Sequence, residues 1–141
     1  MKKIILLVMI SLTTSIAIAQ KISASNVPET VKASFNKLFS GINAKWEKEN
    51  GNYEAAFKQK GKDMAATFTP DGNYLESETA IKTSELPSAS VTYLQQNYKE
   101  QKIKGAEKIS KADGTINYEA EVNGVDVLFD SDGKFIKEEK D

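Results

Sequence analysis

The chain has 141 residues, with 20 acidic residues against 19 basic ones, all lysine; histidine, cysteine and arginine are absent. Without histidine or cysteine the usual zinc, copper, haem and iron–sulfur sites have no ligands, and the commonest acid–base group near neutral pH is missing. A net charge of −1 and the lack of any guanidinium leave no phosphate-reading surface, so neither a nucleic-acid partner nor a cofactor is expected.

Lys2 and Lys3 precede an apolar stretch from Ile4, and Ala17-Ile18-Ala19 then supplies a small-x-small pattern. This is the grammar of a secretory signal peptide over residues 1–19, with cleavage after Ala19 and Gln20 opening the mature chain. The stretch is shorter than the ~20 apolar residues that span a bilayer, so the mature protein is not expected to span a membrane. No cysteine is available for lipid attachment. The expected location is periplasmic or secreted, and folding there must rest on packing and hydrogen bonds without disulfides.

In residues 20–141 a short helical pattern comes first. Val27, Val31, Phe35, Leu38 and Phe39 recur at helical spacing, Pro28 suits the first turn, and Gly41 suits the end. The period then falls to two. Tyr53, Ala55 and Phe57 alternate with Glu54 and Lys58, and Met64, Ala66 and Phe68 repeat the pattern. A second helical pattern follows, through Leu86, Val91, Leu94 and Tyr98, with Pro87 near its start and Ser84 as its expected cap. After it, Tyr118, Ala120 and Val122 alternate with Glu119 and Glu121, and Val125, Val127 and Phe129 alternate with Asp126 and Leu128.

Asn50-Gly51, Gly61, Pro70-Asp71-Gly72, Asp113-Gly114, Asn123-Gly124 and Asp132-Gly133 punctuate these runs. Strands are predicted near 44–49, 53–58, 63–68 and 74–81, then near 103–110, 116–122, 125–129 and 134–139. The halves align at an offset close to 60 residues: Tyr53-Glu54-Ala55 with Tyr118-Glu119-Ala120, and Phe68 through Gly72 with Phe129 through Gly133. The expected fold is therefore α+β, a tandem repeat of a helix followed by a four-stranded antiparallel sheet, with the helices packed on one sheet face. The expected divisions are 20–83 and 84–141, sharing one continuous core.

Val27-Pro28, Trp46, Asn52-Tyr53-Glu54-Ala55, Pro70-Asp71-Gly72 with Glu76 and Glu78, Leu86-Pro87, Tyr118-Glu119-Ala120 and Phe129 through Gly133 together resemble the PepSY-like, β-lactamase-inhibitor-like family of small secreted proteins of Bacteroidetes type. The resemblance covers nearly all of the mature chain. It implies the helix-then-strands order twice over, an envelope location, and binding or inhibition of a protein. The chain departs from the streptomycete inhibitors, which rely on disulfides, so their target is not carried over.

Several motifs touch on chemistry. Ser34-Phe35-Asn36-Lys37 fits S-x-x-K, but the chain is too short for the serine β-lactamase fold and has no Ser-Asp-Asn element. Asp130-Ser131-Asp132-Gly133 begins like a calcium loop without the closing glutamate of an EF-hand, and reads as a hairpin turn. Glu76 with Glu78, and Glu119 with Glu121, share faces as glycosidase carboxylates would, yet an acid-rich chain produces such pairs by chance. Nothing in the sequence marks a buried acid with a raised pKa. Trp46, Tyr53, Phe57 and Phe68 read as core rather than as a ligand platform.

What remains is the polar side of the sheet, with Glu47, Glu54, Lys58, Glu119 and Glu121 as candidate contact residues. The expected function is a non-catalytic binding or modulatory module that meets an envelope protein or peptide on this face. An accessory protein of structural or sensory kind, pairing through a sheet edge, is the alternative, and a small hydrolase the remote one.

Overall fold

The structure is a computed structural model describing residues 19–140. The expected leader lies outside the described residues, its last residue Ala19 excepted. Nine strands and two α-helices are found among the described residues. In chain order these are β1 (Gln20–Ile22), α1 (Glu29–Leu38), β2 (Lys45–Glu49), β3 (Asn52–Gln59), β4 (Lys62–Phe68) and β5 (Tyr74–Ala80). Then come α2 (Ser88–Asn97), β6 (Ile103–Lys111), β7 (Ile116–Val122), β8 (Val125–Phe129) and β9 (Phe135–Lys140). Each strand pairs antiparallel with its neighbours in sequence, so strand order in the sheet is chain order.

The expectation of two units, each with its own four-stranded sheet, is overturned. Glu76–Ala80 of β5 pairs with Glu107–Lys111 of β6, and β1 adds to the far side of β2, giving one nine-stranded sheet. The physical reason lies at the strand edges. A four-stranded half would leave β5 and β6 each with a row of unpaired N–H and C=O groups, and joining them satisfies both rows. The short 3-10 turn Thr83–Glu85, where the second unit was expected to begin, links β5 to α2.

The expected single core is also corrected, because the buried apolar side chains form two clusters. Val27, Val31 and Phe35 from α1 and its lead-in meet Trp46, Tyr53, Ala55, Phe57, Ala66 and Phe68. Leu86 and Leu94 meet Ala106, Ala120, Val122, Val127 and Phe129. Ala55, Ala66, Ser77 and Ser110 stand in one continuous row of opposite residues, and Ala106 precedes Ser110 by an even number of positions. Both clusters therefore lie on the same side of the sheet, under the two helices. Between them the floor is polar: Ser77, Thr79, Lys108 and Ser110, with the Tyr74 hydroxyl donating to the Ser110 carbonyl at 2.9 Å.

Phe35 holds the first cluster, its ring 5.2 Å from Phe57 and 5.4 Å from both Trp46 and Phe39. Trp46, Tyr53, Phe57 and Phe68 are all buried, as core and not platform. Full burial of each such side chain contributes about 1.5–3 kcal/mol. Leu38 departs from the expected stripe and is half exposed at the end of α1. Pro28 and Pro87 stand just ahead of their helices rather than within the first turn, and Ser84 lies in the 3-10 turn, so it does not cap α2.

The turns after β4 and β8 reach back to the helix starts. Gly72 and Gly133 have φ of +83° and +82°, which L side chains rarely adopt. A Cβ on Gly72 would stand 2.7 Å from the Thr30 carbonyl oxygen, and one on Gly133 would stand 2.7 Å from Pro87 Cβ. These glycines let the β4–β5 turn close against α1 and the β8–β9 turn close against α2.

Candidate functional site

With both helices on one side, the other side of the sheet carries no covering element among the described residues. Its composition follows from alternation. On each strand the residues between core positions face outwards, and the register aligns them across the sheet. One row reads Glu47, Glu54, Thr67, Glu76, Lys111 across β2 to β6. A second reads Ala80, Glu107, Glu119, Leu128, Lys137 across β5 to β9. Glu78 sits between the two rows, flanked by Ala65 and Ile109.

All five candidate residues fall on this open face, in separate places. Glu47 and Glu54 are directly opposite on β2 and β3. Glu119 is opposite Glu107, and Glu121 is opposite Asp126 and 3.8 Å from Lys104. Lys58 is held at the β3–β4 hairpin end by Asp63, at 3.2 Å. The two glutamate groups are bridged by residues outside the candidate set, namely Glu76 and Glu78 on β5 and Glu107 on β6. Two depressions lie on either side of this bridge. One, of about 310 Å³, is lined by Glu54, Thr67, Glu76 and Glu78. The other, of about 360 Å³, is lined by Ala80, Gly105, Glu107, Glu119, Glu121 and Asp126.

Crowding of like charges on a part-covered surface perturbs these acids. Burial, then the charges of Glu107, Glu54, Glu119 and Glu76, push the Glu78 carboxyl from 4.5 up to about 8. Glu54 is raised by burial and by Glu49 and Glu47. Glu107 is raised by burial, an effect partly offset by its hydrogen bond with Glu78. Glu78 therefore keeps its proton near neutral pH, within hydrogen-bonding reach of Glu107. This corrects the sequence reading, in which no acid was marked as buried with a raised pKa. β5 reads in sequence as the last strand of a half, yet it is the fifth of nine, and the middle of a sheet is where a glutamate loses water.

The arrangement can exchange a proton and attract cations. Glycoside hydrolysis needs two carboxyls about 5 Å or more apart with the sugar between them, whereas Glu78 and Glu107 bond directly to one another. Among the described residues no group of three or more metal-ligating side chains is placed to hold a metal ion. In the suspected calcium turn, Asp130 Oδ1 accepts from the amides of Asp132 and Lys134, both at 2.9 Å.

One helical layer over a long antiparallel sheet, with a bare acidic face opposite, defines an open-faced two-layer protein. The family model described as "Putative beta-lactamase-inhibitor-like, PepSY-like" matches residues 51–137, and the chain belongs to this family. Among solved structures it is similar to one from Bacteroides eggerthii, described among "putative periplasmic proteins". That match has 18% identity and a TM-score of 0.70, covering 81% of this chain and 88% of that one. A DUF2874 family protein from Bacteroides uniformis matches with 18% identity and a TM-score of 0.71, over 80% and 88% of the two chains. A BLIP-like protein from Bacteroides fragilis matches with 21% identity and a TM-score of 0.65, over 80% and 86%. At these identities the likeness is one of fold. No curated protein matches the sequence.

Proposed function

We propose that the protein is a non-catalytic binding module of the cell envelope, which takes a protein or peptide segment onto the open face of its sheet. The envelope location is supported by the leader-like residues 1–19 and by the periplasmic description given to a protein of like fold. The observation that carries the reading is the placing of like charges directly opposite each other, Glu47 against Glu54 and Glu107 against Glu119. Like charges placed directly opposite each other cost stability. A surface that retains them is built for something other than its own stability, and a segment bearing cations would relieve the repulsion.

The probe is an N-acetylated oligo-arginine peptide, with an oligo-glutamate peptide of equal length as control, measured by calorimetry. Binding of the basic peptide that weakens in salt and in Glu54→Gln/Glu119→Gln supports the reading. Absence of binding to the folded protein rejects it. A second reading, pairing through the β9 edge, is favoured by the exposure of Phe135 and Ile136 there. Ile136→Glu separates the two, since it alters the edge and spares the face.

A further inference from the structure

We propose that Glu78 and Glu107 form a proton-holding pair across the middle of the sheet, through which pH sets the charge that the open face offers its partner. The regulatory half rests on the reading of that face as a binding surface; the proton-holding half does not.

The geometry is that of a cross-strand diagonal. Glu78 of β5 is directly opposite Ile109 of β6, and Glu107 lies two residues from Ile109 on the same face. Ile109, which faces away from both core clusters, is buried beside the pair, so the two carboxyls have an apolar neighbour on their own face. Two carboxylates so placed repel, and a single shared proton turns the repulsion into a hydrogen bond.

The surroundings favour keeping that proton. Facing the pair are Glu54 from β3, Glu76 from β5, Glu119 and Glu121 from β7, and Asp126 from β8. Of the cations on the same face, Lys58, Lys104 and Lys137 stand at its margins, while Lys111 holds the other cross-strand diagonal from Glu78. Lys111 is opposite Glu76, Lys58 is held by Asp63, and Lys104 lies beside Glu121. Burial and these negative neighbours act in the same direction on Glu78. Below the transition the pair carries one negative charge, and above it two, placed between the two depressions. A cationic segment therefore binds more tightly as the proton leaves, and its binding expels the proton.

The test has two readouts. Carboxyl ¹³C NMR of the labelled protein, titrated with pH, is expected to show a step near 8 that disappears in Glu78→Gln. Affinity for the oligo-arginine peptide, whose charge does not titrate, is expected to rise at least roughly threefold between about pH 6.5 and about pH 9. In Glu78→Gln, which keeps the neutral shape, that rise is expected to vanish. If every carboxyl titrates in the ordinary carboxylate range, the pair is refuted even where the peptide binds. If the step near 8 is present and the peptide binds at no pH, gating is refuted together with the binding-surface reading, while the proton-holding pair stands. A pH dependence of affinity that persists in Glu78→Gln also overturns the proposal.

Discussion

The Tyr74 hydroxyl donates to the backbone carbonyl of Ser110, 36 residues away, at 2.9 Å, and so ties β5 to β6 from the helix side. The same oxygen lies 2.9 Å from the Ser77 hydroxyl. A phenol has one proton and a carbonyl only accepts, so the Ser77 hydroxyl supplies the proton of the second bond. This triad occupies the polar floor between the two apolar clusters.

Tyr74→Phe keeps the ring, which packs edge-on against Phe68, and removes both hydrogen bonds of the hydroxyl. Destabilisation of about 1 kcal/mol is expected, read as a lower urea midpoint at unchanged slope. A neutral effect would show that the polar floor contributes nothing to joining β5 with β6.

Gly133→Ala combines a left-handed backbone with a Cβ only 2.9 Å from the Ser90 amide nitrogen. Gly114 also has positive φ, +87°, but a Cβ there meets nothing within 4 Å. Gly114→Ala is expected to cost about 1 kcal/mol through backbone strain alone, and Gly133→Ala clearly more. Paired thermal melts check the order, and equal losses would mean the turn moves freely off α2.

Stability is expected to fall as pH rises. Folding raises Glu78 from 4.5 to about 8, so the folded state holds the extra proton between those values. Stabilisation is complete below the lower value and is lost as pH climbs through the upper one. Glu54 and Glu107 are raised as well and act in the same sense. Each of these groups adds at most ~1.4 kcal/mol per pH unit, and only between its unfolded and folded values. Urea midpoints across this range, native against Glu78→Gln, provide the check, and a flat native profile would contradict the account.

Phe35→Ala is expected to cost about 3–5 kcal/mol, because its ring meets Trp46, Phe57, Phe39 and Phe68 at once. Trp46 is the sole tryptophan and reports on this cluster. Leu94→Ala strikes the other cluster and is expected to lower the tryptophan-detected midpoint too, since one sheet carries both. Tryptophan fluorescence unmoved by Leu94→Ala would separate the clusters energetically.

Strand positions were legible because alternation and Asn-Gly or Asp-Gly turns mark them locally; 116–122 and 125–129 coincide with β7 and β8. β1, three residues long, is too short to show a period. The union of the halves was not legible, because Tyr74 through Ala80 reads the same whether its outer edge meets water or β6. That one ambiguity hid the rest. The candidate glutamates on β2, β3 and β7 were found by their alternation. Glu78 and Glu107 were missed because their burial arises only once β5 becomes an inner strand.

A sheet whose strands lie side by side in the order they are synthesised can be assembled like a closing zip. Most pairings wait only for a tight hairpin to turn, so little entropy is lost in each closure. Two steps are exceptions, β1 to β2 across α1 and β5 to β6 across α2, and the second of them joins the two halves of the sheet. Assembly should pause there, and substitutions at that step should slow refolding more than equal losses elsewhere.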